Sequence, residues 1–338
     1  KIVNSEKSKY GQVELFHKGA DEIQNLNIKD VDTIVINSVV QYFPNLRYLE
    51  LVIDECIKKI GDKGFIILGD LRNYQLMEDF FRYTELNNLG EETIDVLESR
   101  IENAISNEKE LLVHPQYFVE LKKRFGDISH VDVRFKQGEY QTEMNKYRYN
   151  VVLHIRNKVT KDIDLELDWN DERNIHGKIH KILDEGNLDV VSIKNAPNYF
   201  LEADKVLAQI IEKEKISVEY LKEHITHEAI TGFKLLFNIC NDSYRKEVVW
   251  NGEKYSCDFL FINNKTDGRT AINQSCFHNG SSVQKYSNDP LRRDLIAESL
   301  YQIKKDLKEK LPDYMIPSYF LEIEKIPLSP NGKIDVTL

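Results

Sequence analysis

The sequence predicts an α/β protein: a partial doubly wound sheet with a helical insertion, followed by a small α+β module near the end of the chain. Three observations carry this. A β-branched run, Thr33 to Ile36, precedes apolar residues at helical spacing and then a second apolar run, Phe65 to Leu68, which is the strand–helix–strand order of a parallel crossover. A polar-rich helical stretch, Leu76 to Phe125, then interrupts the alternation. Five of the eight prolines (Pro290, Pro312, Pro317, Pro327 and Pro330) fall after Asp289, a composition shift that marks a separate module.

Val13 to His17 reads as a short strand, and Thr33 to Ile36 as a buried strand of a parallel sheet. Leu49, Val52, Ile53, Cys56, Ile57 and Ile60 recur every three to four residues and give a helix one apolar face. A turn at Gly61–Gly64 is expected to end that helix before the strand Phe65 to Leu68. Ligands of such sheets sit at the carboxyl ends of the strands, here Asn37 to Pro44 and Asp70 to Asn73. Within the insertion, Glu91 to Asn107 forms an amphipathic helix, suited to a lid. Val131 to Phe135 and Tyr149 to Ile155 alternate apolar and polar residues, as the last strands of the sheet would.

Lys158 to Asp171 is charged and turn-rich and reads as a linker. Beyond it come short elements (Ile179 to Leu183, Val206 to Ile211, Asp258 to Ile262) with no chemical motif, so residues 158–285 form an accessory α/β region. Asn263 to Ser287, rich in Asn, Gly, Ser and Thr, reads as a loop. Pro290 to Lys310 is an amphipathic helix within the final module, residues 286–338.

A net charge of −10, from 46 Lys and Arg against 56 Asp and Glu, argues against a dedicated nucleic-acid binder. No apolar run approaches the length of about 18 residues that spans a membrane. The cysteines Cys56, Cys240, Cys257 and Cys276 contain no C-x-x-C pair, which predicts neither disulfide framework nor zinc site and points to a reducing cytoplasm. His224, His227 and Glu228 stand in the wrong order for a metalloprotease helix, so no metal site is expected. The chain opens at Lys1 and stops at Leu338, and reads as part of something longer.

Two clusters carry chemistry. The first is Asn37-Ser38-Val39-Val40-Gln41-Tyr42-Phe43-Pro44 at one strand end, with Asp70-Leu71-Arg72-Asn73 at the next. Polar residues at neighbouring strand ends cost stability unless they are partnered or bind something. Val31 to Ile36 running into NSVVQYFP, then Tyr48-Leu49 and Gly69-Asp70-Leu71-Arg72, resembles the methyltransferase domains embedded in nonribosomal peptide synthetases. The likeness extends through Glu108 to Val113, with Pro115, Tyr117 and Phe118, to Thr142-Glu143-Met144-Asn145-Lys146-Tyr147-Arg148-Tyr149, which is similar to the family's Asn-Glu-Leu-Ser-x-Tyr-Arg-Tyr signature. In the second cluster, Leu311 to Pro317 (LPDYMIP) and Ile326 to Asp335 (IPLSPNGKID) resemble the closing motifs of the same synthetases' adenylation domains. Tyr286 to Arg293 (YSNDPLRR) is similar to the segment that re-enters the adenylation tail.

The resemblance implies a class I methyltransferase-like sheet, residues 1–157, lacking its glycine-rich cofactor loop, which would lie upstream of Lys1. It implies S-adenosylmethionine as methyl donor and an aminoacyl thioester, held by phosphopantetheine on a downstream carrier domain, as acceptor. Asp21, Asn37 and Ser38 would bind the donor; Gln41, Tyr42, Asp70, Arg72, Glu143, Tyr147 and Tyr149 would line methyl transfer and the acceptor. Lys333, on the Asn331-Gly332 turn, would meet the adenylate in an ATP- and Mg-dependent adenylation domain whose large subdomain lies upstream. Val336 departs from the family's usual arginine. The isolated chain is expected to be inactive and to bind S-adenosylmethionine weakly. The second reading is a non-catalytic spacer within the synthetase.

Overall fold

The computed structural model describes residues 13–88, 93–138, 140, 142–157, 159–171, 174–213, 234–273 and 285–320. The predicted crossover forms. Strand β1 (Val31–Asn37) leads to helix α1 (Leu46–Lys59) and then to β2 (Ile60–Arg72), which pairs with β1 in parallel from Val31↔Ile60 to Asn37↔Gly69. The Asn45 side chain starts α1 by accepting the Tyr48 backbone N–H at 3.0 Å, and Leu49, Val52, Ile53, Cys56 and Ile57 turn inward. Two local expectations change. No turn separates α1 from β2, because Ile60 already pairs with Val31. Gly64 permits this close register, since a Cβ there would lie 2.2 Å from the Asp32 carbonyl oxygen. Nor is Thr33 to Ile36 buried: among the described residues β1 is the sheet's edge, and Thr33 and Val35 are exposed, Val35 at 61%. Val13 to His17 forms no strand; Val13, Leu15 and Phe16 are exposed, and no sheet edge pairs with them among the described residues.

The insertion is helical as expected: α2 (Met77–Asn88), α3 (Ile94–Asn107) and α4 (Gln116–Arg124). Phe81 and Leu86 of α2 pack with Leu97 and Ile101 of α3 and with Leu207 in a cluster apart from the main core. Strand β3 (Ile128–Phe135), the short helix α5 (Glu143–Tyr147) and β4 (Arg148–Ile155) follow, β4 lying antiparallel between β2 and β3.

These are not the last strands of the sheet, and Lys158 to Asp171 is not a linker. That stretch supplies β5 (Thr160–Lys161) and β6 (Leu165–Asp168); then come α6 (Ile175–Glu185), β7 (Val190–Pro197), α7 (Glu202–Lys213), α8 (Lys234–Phe237), β8 (Tyr244–Val249), β9 (Ser256–Asn263) and β10 (Ala271–Ile272). Among the described residues one eight-stranded mixed sheet results, in the order β1-β2-β4-β3-β8-β9-β7-β6, with β5 and β10 paired separately. Strand β6 escapes a composition reading because it closes the far edge, where Glu166 and Asp168 alternate with Leu165 and buried Leu167. Charge on an edge strand blocks pairing with other chains. The core is continuous from Leu49 and Ile66 through Tyr149 and Leu153 to Trp250, Phe259 and Phe261.

The compact unit built on this sheet ends at Pro290, and a second begins at Leu291. The second unit contains α9 (Arg292–Lys310) and a 3-10 turn at Asp313–Met315. Leu295, Tyr301 and Ile303 of α9 are exposed. The expected Asn331-Gly332-Lys333 turn lies outside the described residues.

Candidate functional site

The β1–β2 ladder ends at Asn37↔Gly69, and the next residue on each strand has abnormal backbone. Ser38 has φ 56° and Asp70 φ 65°, left-handed backbone that costs a residue other than glycine about 1–2 kcal/mol. The Ser38 N–H donates to the Gly69 carbonyl at 3.1 Å, holding the two ends in step. Asn37 lies over Gly69, where a Cβ would come within 2.0 Å of its Oδ1, so only glycine leaves room for that side chain.

A network grows from this bend. Ser38 Oγ donates to Asp70 Oδ2 at 2.9 Å and accepts from Asn37 Nδ2 at 3.1 Å. Lys136, just past β3, pairs with Asp70 Oδ1; Arg148, opening β4, pairs with Oδ2 at 3.0 Å and reaches Glu143 Oε1, also at 3.0 Å. The Asp70 N–H donates to Asn150 Oδ1 at 3.0 Å. Burial by itself would raise the Asp70 pKa, but the hydrogen bonds from Lys136 and Ser38 and the nearby Arg148 charge outweigh it and hold the carboxyl below its ordinary range. Asp70 is therefore ionised at neutral pH: a poor base, and a good fixed acceptor for N–H groups.

Of the residues singled out from sequence, Asn37, Ser38, Asp70 and Glu143 share this network. Gln41 lies in the 3-10 turn that follows Ser38, 5% exposed, and its Oε1 is buried without a hydrogen-bond partner among the described residues. Its backbone carbonyl accepts from Leu111 N at 2.7 Å. Tyr42 is 71% exposed. Asp21 sits elsewhere, accepting the Tyr48 hydroxyl at 2.6 Å. Arg72 is claimed by Glu108 (2.7 Å) and Glu110 (2.9 Å) and lies over the Phe80 ring, tying β2 to the insertion. Tyr147 and Tyr149 are buried: the first donates to Asp204 at 2.7 Å, the second to the Val113 carbonyl at 2.8 Å. Lys333 lies outside the described residues. Sequence reasoning missed Lys136 and Asn150 as partners of Asp70. Arg148 was in plain view within the Tyr-Arg-Tyr signature.

The orphaned Gln41 Oε1, and the glycine-lined floor beneath Asn37, fit a ligand carrying hydrogen-bond donors, such as the amino-acid end of S-adenosylmethionine. No family model matches the chain. Curated relatives do, over nearly all of it. Chondramide synthase cmdD of Chondromyces crocatus is 27% identical over 343 residues, 96% of this chain and 9% of its own length. Cyclosporin synthetase simA of Tolypocladium inflatum is 27% identical over 350 residues, 96% of this chain and 2% of its own. The bassianolide nonribosomal cyclodepsipeptide synthetase of Beauveria bassiana (strain ARSEF 2860) is 26% identical over 362 residues, 96% and 11%. Over nearly all of its length the chain is thus similar to segments of nonribosomal peptide synthetases. Its mixed α/β sheet is consistent with a methyltransferase-like fold. This segment spans about a tenth or less of those three relatives. Among the described residues, no helix is long and apolar enough to cross a membrane.

Proposed function

We propose that this segment carries part of an S-adenosylmethionine-dependent methyltransferase that methylates the α-amine of a carrier-bound aminoacyl thioester. In the same reading its closing module is the tail of an ATP-dependent adenylation domain, with Lys333 as the adenylate contact. One observation carries the methyl-transfer reading: left-handed backbone at Ser38 and Asp70, just past the end of the β1–β2 ladder, with Asn37, Ser38, Asp70, Lys136, Arg148 and Glu143 wired together there. Strain of this kind persists only where surrounding structure over-determines it, and it clusters at functional sites.

Bound S-adenosylmethionine would supply an electrophilic methyl on a sulfonium. Asn37, Ser38 and the unpartnered Gln41 side-chain Oε1 would hold its donors, and Asp21 a more distant group. A free α-amine has a pKa of about 7.7–8.0, so much of it is neutral near physiological pH and no strong base is needed. Asp70 and Glu143 accept from amine N–H groups and favour the positive charge that grows on nitrogen. Lys136 and Arg148 keep Asp70 from turning away, which makes positioning the main contribution to rate. Arg72, Tyr147 and Tyr149 act from beneath, by holding β2, α5 and the insertion in place.

The test is the complete module, with its upstream adenylation subdomain and downstream carrier, examined by mass spectrometry. A methyl on the loaded aminoacyl group that needs S-adenosylmethionine and disappears in Asp70→Asn supports the reading. An unmethylated product from a module that binds the donor would leave the segment a spacer.

A further inference from the structure

The order of the eight-stranded sheet reads the same from both ends. Strands β1, β2, β4 and β3 answer to β6, β7, β9 and β8: a parallel edge pair, then antiparallel neighbours, the halves meeting antiparallel at Arg134↔Val249. A twofold axis between β3 and β8 produces this order. The match holds residue by residue. The parallel ladders end at Asn37↔Gly69 and Asp168↔Lys194, and the next N–H on the edge strand, Ser38 or Trp169, donates to the Gly69 or Lys194 carbonyl at 3.1 or 3.0 Å. Asp70 and Asn195 follow, both left-handed (φ 65° and 57°) and both at a break in register. Each donates its N–H to a side chain on the neighbouring strand, Asn150 at 3.0 Å or Asp258 at 2.9 Å. Asn73-Tyr74-Gln75-Leu76 and Asn198-Tyr199-Phe200-Leu201 then form matching 3-10 turns, each capped by its asparagine side chain.

What differs is the chemistry at the bend. By register, Asp70, Lys136 and Arg148 correspond to Asn195, Asn251 and Ser256, so none of the three keeps its charge in the second half. The connection that carries Glu143 runs over 136–147 in the first half and only 250–255 in the second. The halves are also laced across the axis. Tyr147 donates to Asp204 Oδ1 at 2.7 Å and Lys146 pairs with its Oδ2 at 2.8 Å. Reciprocally, Tyr255 donates to Asp79 Oδ1 at 3.0 Å and Lys254 pairs with its Oδ2 at 2.8 Å. Asp79 and Asp204 hold matching places after Leu76 and Leu201, and the Tyr147 and Tyr255 carbonyls both accept, at 3.0 Å, from the matching Asn73 and Asn198 N–H groups. Reciprocal contacts of this kind are those of a symmetric dimer.

We infer that the half built on β6 to β9 is a non-catalytic copy of the half built on β1 to β4, standing where a homodimer would put its partner, and that its Asp204 is a positioning residue for methyl transfer. Lys146 and Tyr147 share a short helix with Glu143, and Arg148 follows directly, so the carboxylate that holds the first two fixes where the others meet Asp70. Lys146 and Asp204 are both buried, which makes loss of either partner costly. The inference rests on the methyl-transfer reading above and adds a residue, far from the reacting atoms, that sets its geometry.

The symmetry supplies its own control, because Asp204→Asn and Asp79→Asn remove equivalent carboxylates from opposite hairpins. In the full 338-residue chain, hydrogen exchange is read by mass spectrometry. It should quicken about tenfold over 143–149 in Asp204→Asn and over 254–257 in Asp79→Asn, each variant leaving the other stretch unchanged. In the complete module, Asp204→Asn should lower kcat for methyl transfer about tenfold without weakening the affinity for S-adenosylmethionine, whereas Asp79→Asn should keep the parent rate. Thermal melting confirms that each variant is folded. Tyr147→Phe and Tyr255→Phe, which lose only a hydroxyl, form the matched pair if an Asn variant does not fold, with the same pattern expected. Loosening of both stretches by either variant, equal rate losses in the two, or a loss of donor affinity in place of turnover overturns the inference. A parent module that binds the donor but transfers no methyl defeats the reading above, and the exchange pattern alone then decides whether the halves brace each other crosswise.

Discussion

Asp70 on β2 and Asp132 on β3 are the same residue type on one sheet, with β4 between them, and both are 4% exposed. Each is ringed by basic side chains. Asp132 has His130 Nε2 at 3.0 Å on one oxygen, and His154 Nε2 and Arg134 at 2.9 Å on the other. Around Asp132 the ladder is in register on both sides, Val131↔Leu153 to Val133↔Val151. Asp70 instead sits where the β2–β4 register breaks, between Leu68 and Leu71, in left-handed backbone, with a groove alongside. Charge pairing alone therefore does not mark a site. Left-handed backbone and an open neighbour set Asp70 apart, whereas Asp132 is braced within a regular ladder.

The comparison can be broken. Removing Asp132 (Asp132→Ala) takes the shared acceptor from two buried imidazoles and leaves Arg134 with Glu247 alone, and should cost about 3–5 kcal/mol in urea or thermal unfolding. Asp70→Asn keeps the shape and a carbonyl oxygen that still accepts from Lys136 or Arg148, and should cost only about 1–2 kcal/mol. In the complete module it should nonetheless lower methyl transfer by about a hundredfold. Equal destabilisation by the two substitutions would erase the distinction.

Acid sharpens it further. Burial would raise the Asp132 pKa, but the hydrogen bonds from His130 and His154 and the Arg134 charge hold its carboxyl far below the usual range. A depressed carboxylate contributes stability above its unfolded pKa of about 3.9 and loses it as pH falls further. His114 acts earlier. Burial lowers it from 6.5 to about 4, and its Nδ1 accepts the Gln116 N–H at 3.1 Å. Between those values the unfolded chain takes up the proton first, so stability falls as pH drops from 6.5 towards 4. His114→Gln should flatten that first limb of a stability-versus-pH curve, and Asp132→Asn the limb below pH of about 4. The smallest effect is at Ser38. Ser38→Ala loses the bond to Asp70 and keeps the strain, costing about 1 kcal/mol; Ser38→Gly loses the bond but relieves the strain, and should fall within about 0.5 kcal/mol of the parent. Identical losses in both variants would mean that the φ of Ser38 stores no strain.

Much of the crossover was legible because its signals are local. The stripe from Leu49 to Ile57, the runs on β1 and β2, and the polar strand ends at Ser38 and Asp70 all declare themselves within a few residues. The extent of the sheet was not. Strand β6 hid behind Glu166 and Asp168, and β8 joins β3 through the single pairing Arg134↔Val249, which no local period announces. The site divided in the same way. Residue types at the strand ends were readable, whereas the partners of Asp70 stand 66 and 78 residues away at Lys136 and Arg148.

Tyr147 and Tyr149 make the same point in reverse: a recognisable signature said which residues they are, and packing sent their hydroxyls to Asp204 and Val113 instead of to an open site. By itself, then, the amino-acid order determined the parallel crossover, the polar strand ends and the kinship with peptide synthetases, because periodicity and motif are properties of neighbours along the chain. Tertiary structure alone decided which carboxylate is braced in register and which is bent towards a groove. Those outcomes depend on strands meeting across long separations, where hydrogen-bond register and burial determine each side chain's partners.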